Sequence, residues 1–306
     1  MIARTAAKYG AVITTKTRCL NVNKEGRKVI GAKIRDEISG NEIDVRAKCT
    51  IMAAGVWTDP LYESFGIKPG YKVRMSKGAH IVVPANAIKS KAGIIIKTDI
   101  SVLFIIPWGN NWIVGTTDTD YLEDRDEPLA TREDVSYIIN QANRVLEPKL
   151  DRSQVIGVFA GLRPLVSTDP DSPTTELSRE HVIDHPVPGF VSIAGGKYTT
   201  YRVMAEDTVN ALSDDLGDLA PSTSNEVPLI GAAEPAEVFA ESRLHPGSRQ
   251  IDDEHLLRLS HRYGRLTVEL LDTVVENPEL AAEMPGGAGT LAVEIVHAAT
   301  HEGALH

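Results

Sequence analysis

The sequence predicts a mixed α+β and α/β protein, a β-rich body followed by a helical C-terminal domain. Three observations carry that prediction. Between residues 79 and 116 lie successive β-rich runs broken by Pro, Gly and Asn, enough for one sheet of about four or five strands. A short apolar run at 190–194 passes straight into Gly195-Gly196 and then into a stretch with helical spacing. From about residue 234 onward, apolar stripes recur at helical spacing.

Taken in order, residues 2–9 read as the end of a helix stopped by Gly10. Residues 11–22, 29–36 and 42–47 read as strands joined by turns at Lys24-Glu25-Gly26-Arg27 and Ser39-Gly40-Asn41, a small antiparallel meander. The run KCTIMA at 48–53 ends in Ala54-Gly55, the pattern of a buried strand that delivers a glycine turn. Sheet strands follow at 79–84, 93–98, 102–107 and 111–116. Val135, Ile138, Ile139, Ala142 and Val145 mark one face of a helix over 131–146. Residues 155–162 read as a further strand. Tyr201, Met204, Ala205, Thr208, Val209 and Leu212 then repeat at helical spacing. The stretch 214–233 is rich in Asp, Ser, Pro and Gly and reads as a linker, with helices beyond it at 255–263, 267–275 and 291–299. The expected division is 1–218 and 219–306.

Composition narrows the function. The 306 residues are 42% hydrophobic and 24% charged, ordinary for a globular protein. A net charge of −10 offers no basic field to neutralise nucleic-acid phosphates, so no nucleic-acid partner is expected. It leaves room for a local cluster of arginines around one anionic substrate. No run of about 18 apolar residues marks a membrane-spanning helix. The N-terminal stretch lacks the apolar core and cleavage site of a secretory signal. Cys19 and Cys49 have no CxxC spacing and read as reduced thiols of a cytoplasmic protein. GxSxG, HExxH and Walker patterns are missing, which removes the usual anchors of hydrolase and kinase readings. Gly287-Ala288-Gly289-Thr290-Leu291-Ala292 spells GxGxxA, but no strand precedes it, so it reads as a helix–helix loop.

The strongest chemical constellation is IAGGKYTTYRVMAE, 193–206. Its glycines let backbone approach a ligand. The helix start offers free N–H groups to electron-rich atoms, and Lys197 adds a cation. Thr199 and Thr200 can cap the helix or bond a ligand. The same residues would also suit a plain strand–helix turn with an exposed lysine. In Gly161-Leu162-Arg163-Pro164-Leu165 an arginine at the end of an apolar strand offers a planar fork for phosphate or carboxylate, and Arg179 can supply a second. Either arginine can equally serve a structural ion pair. Gly115-Thr116-Thr117-Asp118-Thr119-Asp120 brings hydroxyls and carboxylates to a strand end; its Asp-x-Asp spacing is also that of an ordinary turn, and no metal is expected. His80, in Ser76-Lys77-Gly78-Ala79-His80, has the chemistry of a general base or of a structural histidine. Ala54-Gly55-Val56-Trp57 can cover a ligand or pack a core.

The order of these motifs carries a resemblance. Met52-Ala53-Ala54-Gly55-Val56-Trp57-Thr58-Asp59, Ser76-Lys77-Gly78-Ala79-His80-Ile81-Val82-Val83-Pro84, Gly115-Thr116-Thr117-Asp118-Thr119-Asp120-Tyr121, Gly161-Leu162-Arg163-Pro164-Leu165, Ser178-Arg179-Glu180-His181 and Ala194-Gly195-Gly196-Lys197-Tyr198-Thr199-Thr200-Tyr201-Arg202 resemble, as an ordered set, the FAD-dependent glycerol-3-phosphate dehydrogenases. The likeness runs from about residue 1 to 212, and the helical tail looks like that family's C-terminal domain. It implies a D-amino-acid-oxidase-like flavoprotein fold. FAD-binding parts would lie at about 1–60 and 190–213, an antiparallel substrate sheet at about 70–190, and a helical domain at 219–306.

The resemblance also implies an activity: sn-glycerol 3-phosphate oxidised to dihydroxyacetone phosphate, hydride to flavin N5, and electrons on to a quinone. It implies a cytoplasmic protein, peripheral on the inner face of the membrane, and is compatible with a homodimer. Residue by residue, Arg163 matches the arginine that grips substrate phosphate, Arg179 a further substrate arginine, and Lys197 a lysine near substrate and flavin. Thr117 is similar to a substrate-side hydroxyl. Gly195, Gly196, Thr199 and Thr200 match the turn that meets the flavin ring. Ala54 and Gly55 match a turn along the cofactor, and His80 is placed with the cofactor-binding residues. The family opens on a strand and GxGxxG for the ADP half of FAD and ends on an arginine-rich stretch, neither of which is in this sequence, so it reads as an internal piece of such an enzyme. A glycerol-3-phosphate oxidase using O2 shares the constellations. The alternative of a different class is a non-catalytic remnant.

Overall fold

The computed structural model describes residues 1–98, 102–167 and 180–304. Its contacts divide the chain into two compact units, one of Met1–Arg18, Arg35–Asn41 and Ser222–His306, the other of Cys19–Ile34 and Glu42–Pro221.

Helix α1 (Ile2–Lys8) stops at Gly10, whose φ of +96° turns the chain. Strands β1 (Thr17–Glu25), β2 (Lys28–Asp36) and β3 (Glu42–Arg46) form a three-stranded sheet in that order. The first strand begins at Thr17 and not at 11, because Val12 and Ile13 point into solvent and find no face to bury. Strand β4 (Thr50–Met52) leads into a 3-10 turn at Gly55–Trp57 and helix α2 (Thr58–Phe65). That helix carries Pro60 in its first turn, where no N–H is needed, and buries Tyr62 and Phe65.

The main sheet is built from β5 (Lys72–Pro84), β6 (Ile94–Lys97), β7 (Val102–Trp108), β8 (Asn111–Gly115), β9 (Thr119–Asp120) and β10 (Gly157–Ser167). Its order is β10-β5-β8-β7-β6, with β9 also paired to β5, and its pairs are antiparallel. Helix α3 (Arg132–Ala142) opens on a capping box between Thr131 and Asp134. It lays Val135, Ile138 and Ala142 on the sheet face made by Ala79, Ile81, Val83, Leu103, Ile105 and Val114. A buried ion pair of 2.7 Å between Lys77 and Asp134 fastens the same joint.

Strands β11 (His181–Val187) and β12 (Phe190–Gly195) form the order β11-β12-β4, with β12 parallel to β4. Helices α4 (Tyr201–Asn210) and α5 (Ser213–Leu216) follow. Beneath this sheet lies a core of Met52, Tyr62, Phe65, Ile67, Tyr71 and Phe190.

In the helical unit, α6 (Pro235–Ser242), α7 (Asp253–Tyr263), α8 (Thr267–Glu276) and α9 (Ala292–His301) surround Leu256, Leu259, Leu270, Leu271, Val274 and Val293. Helix α1, which sequence order groups with the β-rich body, makes its contacts here. Arg4 lies 3.0 Å from Glu269, and the Ile230 amide donates to Thr5 Oγ1 at 2.9 Å. The GxGxxA spelling sits in the turn between a 3-10 segment at Pro278–Ala281 and α9, with no strand before it.

Candidate functional site

Strand alternation decides which side chains can form a site. The residues of the main sheet that face α3 are core. On the opposite face the pairing aligns Ile95, Phe104, Gly115, His80 and Phe159 in one lateral row across β6, β7, β8, β5 and β10. Phe104 and Phe159 are 38% and 47% exposed there, so the row is an apolar surface open on one side. The missing side chain at Gly115 makes room for the His80 ring, which a Cβ would strike. That ring stacks on Phe159 with centroids 4.8 Å apart and planes 9° from parallel. Burial, and then the nearby Arg163 cation, push the His80 imidazole below its usual range, so it is neutral at neutral pH. His80 Nδ1 is buried and has no hydrogen-bond partner among the described residues.

The next row along this face is Gly78 opposite Gly161, and the row after it is Ser76 opposite Arg163. The missing side chain at Gly78 leaves room on this face for an arginine side chain. The Arg163 guanidinium lies over Gly78, where an added Cβ would come within 2.5 Å of Nη2. Arg163 Nη2 donates to Thr116 Oγ1 at 3.0 Å, and Nη1 to the Thr117 carbonyl at 3.4 Å and to Ser76 Oγ at 3.5 Å. Asp118 Oδ1 is 3.8 Å from Nη1 and accepts a hydrogen bond from the Ser76 hydroxyl. Thr117 is only 2% exposed, and its hydroxyl accepts from the Ala79 amide at 2.9 Å. Its side chain therefore faces inward, and the hydroxyl on Arg163 is that of Thr116. Ser76, Gly78, Thr116 and Asp118 were not separated from their motifs by the sequence. The signal was present in the alternation of β5, whose even-numbered positions 76, 78 and 80 share the open face.

Because β4 and β12 are parallel, their C-terminal ends deliver two glycine turns, Ala54-Gly55 and Gly195-Gly196, at one edge of their sheet. Ligands in sheets of this kind bind beyond such strand ends. Gly195 and Gly196 have φ of +76° and +78°, open to glycine at little cost. A Cβ at Gly195 would lie 2.6 Å from the Glu180 carbonyl, and one at Gly196 2.6 Å from Met204 Sδ. Lys197, Thr199 and Thr200 are exposed beyond them. The Thr200 amide donates to the Lys197 carbonyl at 3.0 Å, and neither threonine caps α4 with its side chain. The Trp57 amide donates to the Ala54 carbonyl at 3.1 Å and the Thr58 hydroxyl to the Gly55 carbonyl at 2.8 Å. Gly55 lies against Pro164, 4.0 Å from its Cγ to a Cβ position.

The two halves meet at β10. An open cleft of 320 Å³ is lined by Leu162, Arg163, Pro164, Leu165, Gly196 and Lys197. The structure thus brings together Arg163, Gly196 and Lys197, with Gly55 against Pro164 and His80 two rows along β5 from Ser76. Arg179 lies outside the described residues. The orphaned His80 nitrogen, the apolar row and the glycine cradle suit the ring end of a flavin, which is planar, apolar along one edge and hydrogen-bonding along the other.

Comparison with known proteins agrees. The glycerol-3-phosphate dehydrogenase of Mycobacterium leprae (strain TN) is 42% identical over 313 residues, covering 100% of this chain and 52% of that protein. Glycerol-3-phosphate dehydrogenase 2 of Mycobacterium tuberculosis (strain ATCC 25618 / H37Rv) is 42% identical over 309 residues, with the same shares. The chain spans about half the length of these curated relatives. Among solved structures, the glycerol-3-phosphate dehydrogenase from Bacillus halodurans complexed with FAD superposes with a TM-score of 0.80 at 28% identity, over 96% of this chain and 58% of that one. The model of the FAD dependent oxidoreductase family matches residues 1–202. On the ordered motifs, the fold and this match together, the chain belongs to the FAD dependent oxidoreductase family.

Proposed function

We propose that the chain forms the substrate-binding and flavin-facing part of an enzyme that oxidises sn-glycerol 3-phosphate to dihydroxyacetone phosphate. The observation that carries the reading is the cleft in which Arg163 stands beside Gly196 and Lys197. A phosphate dianion is best met by a forked cation, and Arg163 and Lys197 supply a fork and a point charge. Arg163 grips the phosphate, Lys197 stands between phosphate and ring, and Thr117 supports the grip through its carbonyl. Arg179 joins them on the strength of the resemblance.

Ala54, Gly55, His80, Gly195, Gly196, Lys197, Thr199 and Thr200 would hold the FAD. When bound, FAD would supply the acceptor for the hydride that leaves the substrate carbinol carbon, and the hydroxyl proton passes to solvent. The chain's own residues bind and orient. Backbone N–H groups at the Gly195-Gly196 turn favour negative charge. Phe104 and Phe159 would line the apolar edge of the bound ring, and a neutral His80 leaves the positive charge concentrated on Arg163. For the electron acceptor we take a quinone. The protein would be cytoplasmic and peripheral on the inner face of the membrane; no described helix is long and apolar enough to cross one.

The test is calorimetric titration of the chain with sn-glycerol 3-phosphate. Arg163→Ala should weaken binding about hundredfold, the loss of two charge-assisted hydrogen bonds. Unchanged binding in that variant would sink the reading. Peroxide formation in place of quinone reduction by the FAD-loaded enzyme would overturn the choice of acceptor alone.

A further inference from the structure

The resemblance puts Arg163 on the phosphate but is silent on what aims it. Its guanidinium lies over Gly78, and an arginine side chain has enough rotamer freedom to leave such a position. Opposite it in the pairing of β5 and β10 stands Ser76, completely buried. Behind Ser76 stands Asp118, whose side chain is 2% exposed. The Ser76 hydroxyl donates to Asp118 Oδ1 and accepts from Arg163 Nη1 at 3.5 Å, while the same carboxylate oxygen lies 3.8 Å from Nη1. Thr116 Oγ1 holds the other arm, Nη2, at 3.0 Å. Asp118 stands in the turn that joins β8 to β9, and β9 pairs with β5 at Ser76. The backbone pairing therefore fixes Asp118 and Ser76 relative to each other independently of Arg163.

We propose that Asp118, acting through Ser76, is the positioning residue that aims the Arg163 fork at the substrate phosphate. The proposal rests on the phosphate reading of Arg163 given above. It differs from a counter-charge role in the sign of its prediction. Were Asp118 only a compensating charge, removing it would raise the positive potential at Arg163 and tighten the hold on any anion. As the group that aims the fork, its removal lets the guanidinium swing, and a bidentate contact is lost despite the gain in charge.

The experiment measures binding of sn-glycerol 3-phosphate and of inorganic phosphate to the whole chain by calorimetry, with thermal melting of each variant as the check on folding. Asp118→Asn should weaken glycerol 3-phosphate binding about tenfold. Ser76→Ala, which keeps the carboxylate and removes the bridge, should weaken it in the same direction and serves where Asp118→Asn does not fold. In an Arg163→Lys background, whose ammonium needs no planar aim, either change should move the affinity less than about twofold, a non-additivity that loss of general structure would not produce. Equal or tighter binding by the folded Asp118→Asn or Ser76→Ala proteins, with Arg163→Ala still deficient, overturns the positioning role alone. Unchanged binding by Arg163→Ala overturns the phosphate reading and this proposal with it.

Discussion

Gly78 shows how one residue's lack of a side chain shapes the site. Its φ lies outside the left-handed region, so alanine fits the backbone, yet the new Cβ would stand 2.5 Å from Arg163 Nη2 and 2.6 Å from Thr116 Oγ1. Gly78→Ala should therefore lower stability by about 1–3 kcal/mol, as Arg163 and Thr116 give way, while still folding. Its affinity for glycerol 3-phosphate should fall about tenfold as the guanidinium is pushed aside. Calorimetry on the variant, with thermal melting of a separate sample as the check on folding, decides it. Lys197 was legible in the sequence because it follows an apolar strand, where a charged residue has no core to enter, and Arg163 because it interrupts an apolar run, although the strand expected to end at 162 continues through it to Ser167. The neighbours that hold Arg163 were not. Ser76, Thr116 and Asp118 are small or common turn residues whose roles depend on strand register, which no single strand declares.

At the scale of elements, periodicity located the long pieces well. The strands at 102–107 and 111–116 appear as β7 and β8, and the three C-terminal helices fall within about two residues of their expected bounds. The missed pieces have physical reasons. The first half of β5 alternates Lys72, Arg74 and Ser76 with Val73, Met75 and Lys77, too polar for an apolar run, so the strand expected to begin at 79 begins at Lys72. Helix α2 is eight residues long and gives too few turns for a clear stripe. Helices α1 and α9 supply a pH-dependent joint. Arg4 Nη1 donates to His297 Nε2 at 3.3 Å, which requires that nitrogen unprotonated, and the His301 ring stacks 4.7 Å away. Burial, then His301 and Arg4, push the His297 imidazole below its usual value of 6.5, against smaller opposing pulls from Glu302 and Glu269. A lowered folded-state value means stability that is full above pH 6.5 and lost as the pH falls through it. The protection factors of the α1 amides, exchange rates corrected for the pH dependence of intrinsic exchange, should fall as the pH drops below about 6.5. His297→Gln, whose oxygen can still accept from Arg4, should flatten that profile. A profile that stays equally steep in the variant would assign the dependence to other groups.

For the molecule as a whole, a net charge of −10 and an isoelectric point near 5.4 set solution behaviour. Solubility should pass through a minimum close to pH 5.4, where self-repulsion vanishes, and turbidity against pH at low salt would show it. The fold class was legible at this scale because strand, glycine and helix signals occur in a fixed order. The compact units were not, since α1 joins helices that lie more than two hundred residues away in sequence, as the Thr5–Ile230 bond shows. Distance along the chain also governs how the site comes into being. Arg163 and Ser76 are separated by 87 residues, and the Tyr62–Ser192 bond that secures β12 spans 130. Closing such loops is entropically slow, and parallel pairing such as β4 with β12 cannot begin until both partners exist. During synthesis on the ribosome, the turn at Gly55 must wait for the roughly 135 residues that separate it from β12 before the strand that flanks it emerges. Any substitution that slows that late pairing lengthens the time for which Met52, Tyr62 and Phe65 stand uncovered in the nascent protein, so defects in yield will arise from changes that leave the finished site intact.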